Sequence, residues 1–563
     1  MTVRSGSNDR RGASAPGRKR DAAGPVIPQG AALASLHIAW SAGVGALFAA
    51  LYLAMAPHVT GPKDAAEFTL VLALNGVPHP TGYPIYVQLG HLFVRLLHAF
   101  GQNWAYAANA WSAVGGGVAM ALLHALAARM VPARAPLGRI SRFMLGFVPV
   151  AMFGVNPIWL LDAIFAETYS WHLVWVCGAG LFVQSVMRLL EGRASTGLTR
   201  TALGWGLLCG FGLAHHLTAA LPVAVFSVGL LAALARAGKW RAGLLAPMAV
   251  GAVLPLLAYL FVAWRAFHPA IYQWGPLEPA WGSVFDHIRG SAYGDLLGRF
   301  APDDVQRGLL TAHAFPLLFP SLALIALMAF LARRGERLMW ATFGGAAGAQ
   351  ALYAFNYGVR DPSCYFEPAM ALALLSVPGV GAWLLAGAEA IGAQHRAGSG
   401  ATSPPSRVVA LAAAALALAG IVALGARGLP LGQAMKLGAE ETDRRMRATW
   451  ARIPAGAGFV LWDHDMAATF QVYQLLEGQR PELFAGNPAT LSWPAPRRAF
   501  HKRYGFDPLA GLDPLTAARA LQIPANMARQ TPLPVTVFDL YQQQVTTLPK
   551  PQEPAPIVPG SQP

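Results

Sequence analysis

The chain has 563 residues, of which 55% are hydrophobic and only 12% charged. Soluble domains carry about 25% charged residues, so an ordinary water-soluble enzyme is excluded. The formal charge of +15, from 42 Lys and Arg against 27 Asp and Glu, would suggest nucleic acid in a soluble chain. In a chain of long apolar blocks it is instead a positive-inside bias, and no nucleic acid is expected as a partner.

Residues 1–35 form a polar leader with Arg4, Arg10, Arg11, Arg18, Lys19 and Arg20, expected to be disordered and cytoplasmic. The apolar block 36–56 has span length and reads as an uncleaved anchor. Basic, acid-poor linkers then recur around Arg129, Arg134, Arg139 and Arg142; Arg188, Arg193 and Arg200; Arg236, Lys239 and Arg241; Arg333, Arg334 and Arg337; and 395–407. Placing each in the cytoplasm predicts about eleven spans, near 36–56, 108–128, 143–161, 168–187, 202–219, 220–235, 243–263, 312–332, 338–356, 368–388 and 408–426. The segment 83–100 is predicted as a helix in or near the outer interface, because counting it as a span would put a basic cluster outside. Cys177, Cys209 and Cys364 are too few and too scattered for a disulfide framework.

Past residue 426 the polarity becomes ordinary. The stretch 427–545 predicts a small extracytoplasmic α/β domain, with helices at 440–452 and 466–476 and strands at 458–462 and 533–540. Residues 546–563 are a Pro-rich tail. The expected fold is therefore a polytopic α-helical membrane protein, with a transmembrane domain over 36–426 and a small C-terminal extracytoplasmic α/β domain.

This topology puts Asp64, Glu67, Asp162, Glu167, Asp361 and Glu367 on the outer side, so chemistry is expected there. The outer loop 57–107 is the richest stretch. Asp64 and Glu67 are three apart and share a helix face, which suits a general base and an orienting partner; the same spacing also reads as an N-cap with its capping-box partner. His79-Pro-Thr-Gly-Tyr-Pro84 is a rigid turn that presents His79 and Tyr83. Glu167 stands at a helix start, where the helix dipole alone favours an acid. His215 and His216 adjoin a span end, and Arg265 closes one, where it suits either a headgroup anchor or a lipid phosphate. Trp274 and Tyr293 suit a sugar ring or an aromatic belt. Asp463, His464 and Asp465 follow a predicted strand and read as a polar strand end more than as a cation site.

Several of these stretches resemble one family. Asp64-Ala-Ala-Glu-Phe68 followed by His79-Pro-Thr-Gly-Tyr-Pro-Ile-Tyr86, Ala166-Glu-Thr-Tyr169, Gly212-Leu-Ala-His-His-Leu-Thr218, Arg265 with Trp274-Gly275, and Asn356-Tyr-Gly-Val-Arg-Asp361 with Tyr365-Phe366 are similar to motifs of glycosyltransferase family 117. That GT-C family includes the animal endoplasmic-reticulum protein O-mannosyltransferase. The likeness covers most of 57–370; Asp64-Ala-Ala-Glu67 stands where the family has Asp-Ser-Gly-Glu. It implies a GT-C-like bundle and a sugar transferred with inversion from a polyprenyl-phosphate donor to a hydroxyl on a protein or glycan acceptor. Asp64 and Glu67 would be catalytic, with His79, Tyr83, Glu167, His215, His216, Arg265, Trp274, Tyr293, Asn356, Asp361 and Tyr365 binding substrate. The cofactor stays open between none and a divalent cation. The bilayer is the other partner, and the Ala/Arg/Gly-rich composition suggests a bacterial inner membrane. A transporter or flippase of a lipid-linked sugar is the alternative; it predicts ionisable groups deep in the spans, where the sequence has few.

Overall fold

The computed structural model describes residues 29–132, 137–191, 197–385, 405–512 and 519–549. The predicted leader up to residue 28, the linker residues 395–404 and the tail from residue 550 lie outside the described residues.

The chain is a multi-pass helical membrane bundle carrying a small sheet at its C-terminal end. In chain order the helices that build the bundle are α1 (Gln29–Met55), α2 (Ala65–Leu74), α3 (Pro84–Ala99), α4 (Trp104–Met130), α5 (Arg139–Gly154), α6 (Pro157–Ile164), α7 (Tyr169–Glu191), α8 (Leu198–His215), α9 (Ala220–Arg236), α10 (Leu245–Leu256), α11 (Tyr259–Phe267), α12 (Trp281–Ile288), α13 (Asp304–Leu309), α14 (Phe315–Leu331), α15 (Arg334–Phe355) and α16 (Glu367–Leu374). Seven helical stretches among the described residues are long and apolar enough to cross a bilayer, or eight if the bent pair α5–α6 is one span. That is fewer than the eleven expected. The predicted spans 202–219 and 338–356 are the helices α8 and α15, whose small and polar residues lower their hydropathy while neighbouring helices shield them. The predicted span 408–426 lies within one helix, α17 (Pro405–Trp450).

Small residues let the bundle close. A Cβ at Gly206 or Gly210 of α8 would come within 2.0 Å of the Met248 or Ala252 carbonyl of α10, the close backbone approach that small-residue interfaces permit in membranes. The bend between α5 and α6, 76°, has a local cause. Asn156 caps α6 by accepting from the Ile158 N–H at 3.0 Å, and Pro157 occupies its first turn, where proline is tolerated because that N–H is unbonded anyway. Trp159 Nε1 donates to Tyr52 Oη at 2.8 Å, and that hydroxyl donates to the Gly154 carbonyl at 2.7 Å, which locks the bend to α1. The bend carries Asp162 towards the loop before α2. Segment 83–100 is the helix α3, with Tyr86, Val87 and Val94 buried and Leu89, Leu92, Leu96 and Phe100 exposed. A two-sided helix of this kind suits an interface.

The C-terminal unit has a four-stranded sheet of order β2-β1-β3-β4, where β1 is Gly458–Leu461, β2 Leu483–Gly486, β3 Val535–Asp539 and β4 Gln544–Thr547. β1 pairs in parallel with both β2 and β3, and β4 is antiparallel to β3. Helices α18 (Ala468–Leu475), α19 (Pro494–Tyr504) and α20 (Arg519–Gln530) accompany it. One sheet face buries Val460, Trp462, Phe470 and Phe538 with Trp450 at the end of α17; the other buries Phe459, Phe500, Ile523 and Met527. This unit sits on the bundle. Ala468 and Val472 of α18 pack on Ala66 and Leu70 of α2, and Arg498 of α19 pairs with Glu278 at 2.6 Å.

Candidate active site

The site grows from the loop between α1 and α2. Asn109 of α4, fully buried, donates to the carbonyls of Pro57 at 2.9 Å and Val59 at 3.0 Å and accepts from Ala166 N–H at 2.9 Å. Ser112, one turn on, exchanges two 2.9 Å hydrogen bonds with the backbone of Glu167. Helix α4 thus pins the loops bearing Asp64 and Glu167 to each other.

Asp64 precedes α2 but makes no side-chain cap bond. Glu67 does not reach back to it either: its two oxygens accept from the His79 backbone N–H at 2.9 Å and meet His79 Nδ1 at 2.6 Å. The capping-box alternative is therefore not what these residues do. His79 Nε2 meets Tyr83 Oη at 3.1 Å and lies 3.9 Å from Asp64 Oδ2. Burial would lower the His79 imidazole, but the Glu67 and Asp64 carboxylates outweigh it and raise His79 to about 9. Asp64 is pushed up, to about 6, by its enclosed surroundings and by Glu67 and Asp361, against the pull of His79 and Lys63. Its side chain keeps 54% of its surface, so water in the cleft softens that push.

Lys63 is the centre the sequence reading missed. Its Nζ lies 3.6 Å from Asp162 and 3.7 Å from Asp361. Burial disfavours its charge, yet Asp162 and then Asp361 and Glu167 hold it protonated. Around it Asp162, Glu167 and Glu367 are all buried. The signal was there: Lys63 is the only lysine between Lys19 and Lys239.

Two cavities meet at Lys63 and Asp64. The inner one, about 650 Å³, lies among the span ends; His79, Tyr83, Glu167, His216, Tyr293, Asp361 and Tyr365 line it, as do Tyr169, Thr218 and Tyr357 from the quoted motifs and the unforeseen Arg289 and Tyr353. His216 stacks on Tyr83, rings 5.3 Å apart, and its Nδ1 meets Thr218 Oγ1 at 2.7 Å, leaving Nε2 buried without a partner. The outer cavity, about 600 Å³, runs between Asp64 and Glu67 on one side and the C-terminal unit on the other, with Trp274 and Trp493 in its wall.

Three expected binders line neither cavity. Arg265 stacks over Trp264 at 4.4 Å. His215 is buried behind His216, beside His172 and Tyr86. Asn356 is exposed, its amide donating to the Leu352 carbonyl at 2.8 Å. In the C-terminal unit His464 stacks on Trp462 and meets Tyr541 Oη at 3.0 Å. Asp64, Glu67 and His79 offer ligand atoms within 4.8 Å of one another, the one such trio among the described residues, and their donors suit a hard or borderline divalent cation. A cation there would displace the Glu67–His79 hydrogen bonds.

Comparison with known proteins agrees with the motifs. Residues 64–240 match the family described as the Protein O-mannosyl-transferase TMEM260 N-terminal domain, so the resemblance to that glycosyltransferase family is shown over this segment. The chain is 25% identical over 247 residues to Protein O-mannosyl-transferase tmem260 of Dictyostelium discoideum, covering 43% of this chain and 29% of that protein. It is 25% identical over 236 residues to Protein O-mannosyl-transferase TMEM260 of Mus musculus, covering 42% of this chain and 32% of that one. The matched part thus spans about a third of these curated relatives. Among solved structures, ArnT from Cupriavidus metallidurans bound to undecaprenyl phosphate is similar with a TM-score of 0.44 and 16% identity, over 78% of this chain and 85% of that chain. Its apo form gives 0.45 and 16%, over 83% and 91%.

Proposed function

We propose that the chain is a membrane glycosyltransferase that moves a sugar from a polyprenyl-phosphate donor to a hydroxyl acceptor, a protein or a glycan, outside a bacterial inner membrane. The observation that carries this reading is the position of Asp64, at the one place where a cavity among span ends and a cavity under the C-terminal unit join.

A lipid-linked donor enters from the bilayer, so the inner cavity takes it; Tyr169, Tyr293, Tyr353 and Tyr365 offer ring faces and hydroxyls to a sugar. The acceptor comes through the outer cavity. A hydroxyl is a weak nucleophile, and Asp64 takes its proton as the oxygen attacks the anomeric carbon. The bond to the phosphate oxygen breaks with its electron pair on the phosphate, and a single displacement inverts the anomeric centre. Arg289 and His216, both in the donor wall, face the charge that gathers on the phosphate. This is the role the sequence suggested for Arg265. Glu67 acts through His79: it fixes the imidazole, whose positive charge keeps Asp64 ionised near neutral pH.

The test is transfer from radiolabelled polyprenyl-phosphate sugars by the purified protein in lipid. Label on an acceptor that vanishes in Asp64→Asn supports the reading. Donor crossing the bilayer with no sugar transferred overturns it in favour of a flippase.

A further inference from the structure

A second cluster of charge lies at the far end of the bundle, away from Asp64. Helices α7, α9 and α15 each bring one end to the inner cavity, at Tyr169, Ala220 and Tyr353. Their other ends enclose a separate cavity of about 550 Å³. From Arg334 to Tyr353, α15 rises about 29 Å at 1.5 Å per residue, close to the hydrocarbon thickness of about 30 Å. The two cavities therefore open at opposite faces of the membrane. Trp240, exposed beside Lys239, suits headgroup depth, where tryptophan is enriched.

Arg236, Lys239 and Arg334 wall this cavity, against the single carboxylate of Glu191. Glu191 is already engaged. It leans on the first turn of α15, where a Cβ at Gly335 would lie 3.8 Å from its Oε1, and a helix start favours an acid. Arg236 and Arg334 are exposed and pair with no carboxylate among the described residues. The rim is shaped by the end of α9: Gly238, at φ 65°, turns the chain so that Lys239 N–H donates back to the Leu234 carbonyl at 2.9 Å. Met187, Leu190, Leu338 and Met339 make the floor apolar. A positive-inside bias explains basic residues on this face, but not their convergence on one cavity with an apolar floor.

A phosphate joined to hydrocarbon fits both parts. Guanidinium forks match phosphate oxygens, and an acyl chain covers the floor. Basic pockets between membrane helices take anionic headgroups in this way. We propose that the cavity binds an anionic phospholipid of the leaflet opposite Asp64, its phosphate held by Arg236, Lys239 and Arg334. The site stands whether or not the chain transfers sugar.

The test titrates the purified full chain in detergent with phosphatidylglycerol, phosphatidylcholine, polyprenyl phosphate or inorganic phosphate, read by native mass spectrometry. Phosphatidylglycerol should bind about tenfold or more tightly than phosphatidylcholine. Arg334→Gln should weaken it about fivefold, and Arg236→Gln, Lys239→Gln and Arg334→Gln together about a hundredfold. A control variant, Arg139→Gln, Arg200→Gln and Arg241→Gln, removes as many exposed cations predicted on the same face but outside the cavity. It should hold phosphatidylglycerol within about twofold, since solvent and salt screen distant charges. An equal loss in the control would reduce the effect to surface charge and overturn the site. Equal binding of phosphatidylcholine would do the same. Inorganic phosphate competing at matched concentration would overturn a lipid as the occupant. Polyprenyl phosphate displacing phosphatidylglycerol at matched concentration would give the cavity to a carrier lipid instead.

Discussion

The two walls around Asp64 are built on opposite plans. The inner wall is dense in ionisable and phenolic groups drawn from the ends of several helices and clamped by buried carboxylates around Lys63. The outer wall is mostly amide, aromatic and backbone, and comes largely from one small domain. A site that must stabilise changing charge needs fixed charges and dipoles; a site that must accept varied partners does better with adaptable polar contacts. Under the proposed function, the chemistry is lodged in the bundle and the choice of acceptor in the appended domain.

Substitutions separate the two. Asp64→Asn should lower transfer by about a thousandfold, the scale of a lost general base, without changing membrane insertion; near-normal turnover in the purified variant would sink the assignment. Lys63→Met leaves Asp162 and Asp361 facing each other uncompensated. Breaking a largely buried ion pair costs about 3 kcal/mol, so the thermal midpoint should drop, and Lys63→Arg should restore most of it. A smaller effect comes from pH. Asp64 must be ionised to act, and its folded pKa is raised to about 6, so the rate should fall about tenfold per pH unit below that value. His79 pulls Asp64 down, so His79→Asn should move the acid limb to higher pH; an unmoved limb would show that Asp64 does not govern it. Trp493→Ala, in the outer wall alone, should raise acceptor KM about threefold and leave sugar release untouched. An effect on release instead would dissolve the division between the walls.

Legibility follows the same division. Asp64, Glu67 and His79 were readable because a short loop and a rigid turn keep them close in sequence. Asp361, Glu167 and His216 were each placed near the outer side by the topology, but only the family motifs joined them, since loops from distant helices bring them together. Lys63 stood out as an isolated lysine, but its partner did not: only the bend at Asn156 and Pro157, which delivers Asp162, gives it a role. Arg265 was read from its place at a span end, but ring stacking on Trp264 satisfies it there. Asn109 and Ser112 were invisible as clamps, although polar residues inside a span are uncommon enough to be a signal. The strands at β1 and β3 were legible from apolar runs. β2 and β4 are four residues each, too short for a pattern.

The helix α17 is unbroken for 46 residues, from Pro405 to Trp450. At 1.5 Å per residue it measures about 69 Å, more than twice the hydrocarbon thickness of about 30 Å. The C-terminal unit is thus mounted on a mast, and its height above the bilayer is built in rather than left to a flexible joint. Under the proposed function, hydroxyls are reached at a set altitude, like a gauge clamped to a rail, and a substrate anchored in the same membrane would be modified only in a narrow band above it. A helical insertion of one turn above Pro430 should lift that band and detach α18 from α2. Unchanged transfer to a membrane-anchored acceptor of fixed length after such an insertion would show that the mast does not set the height.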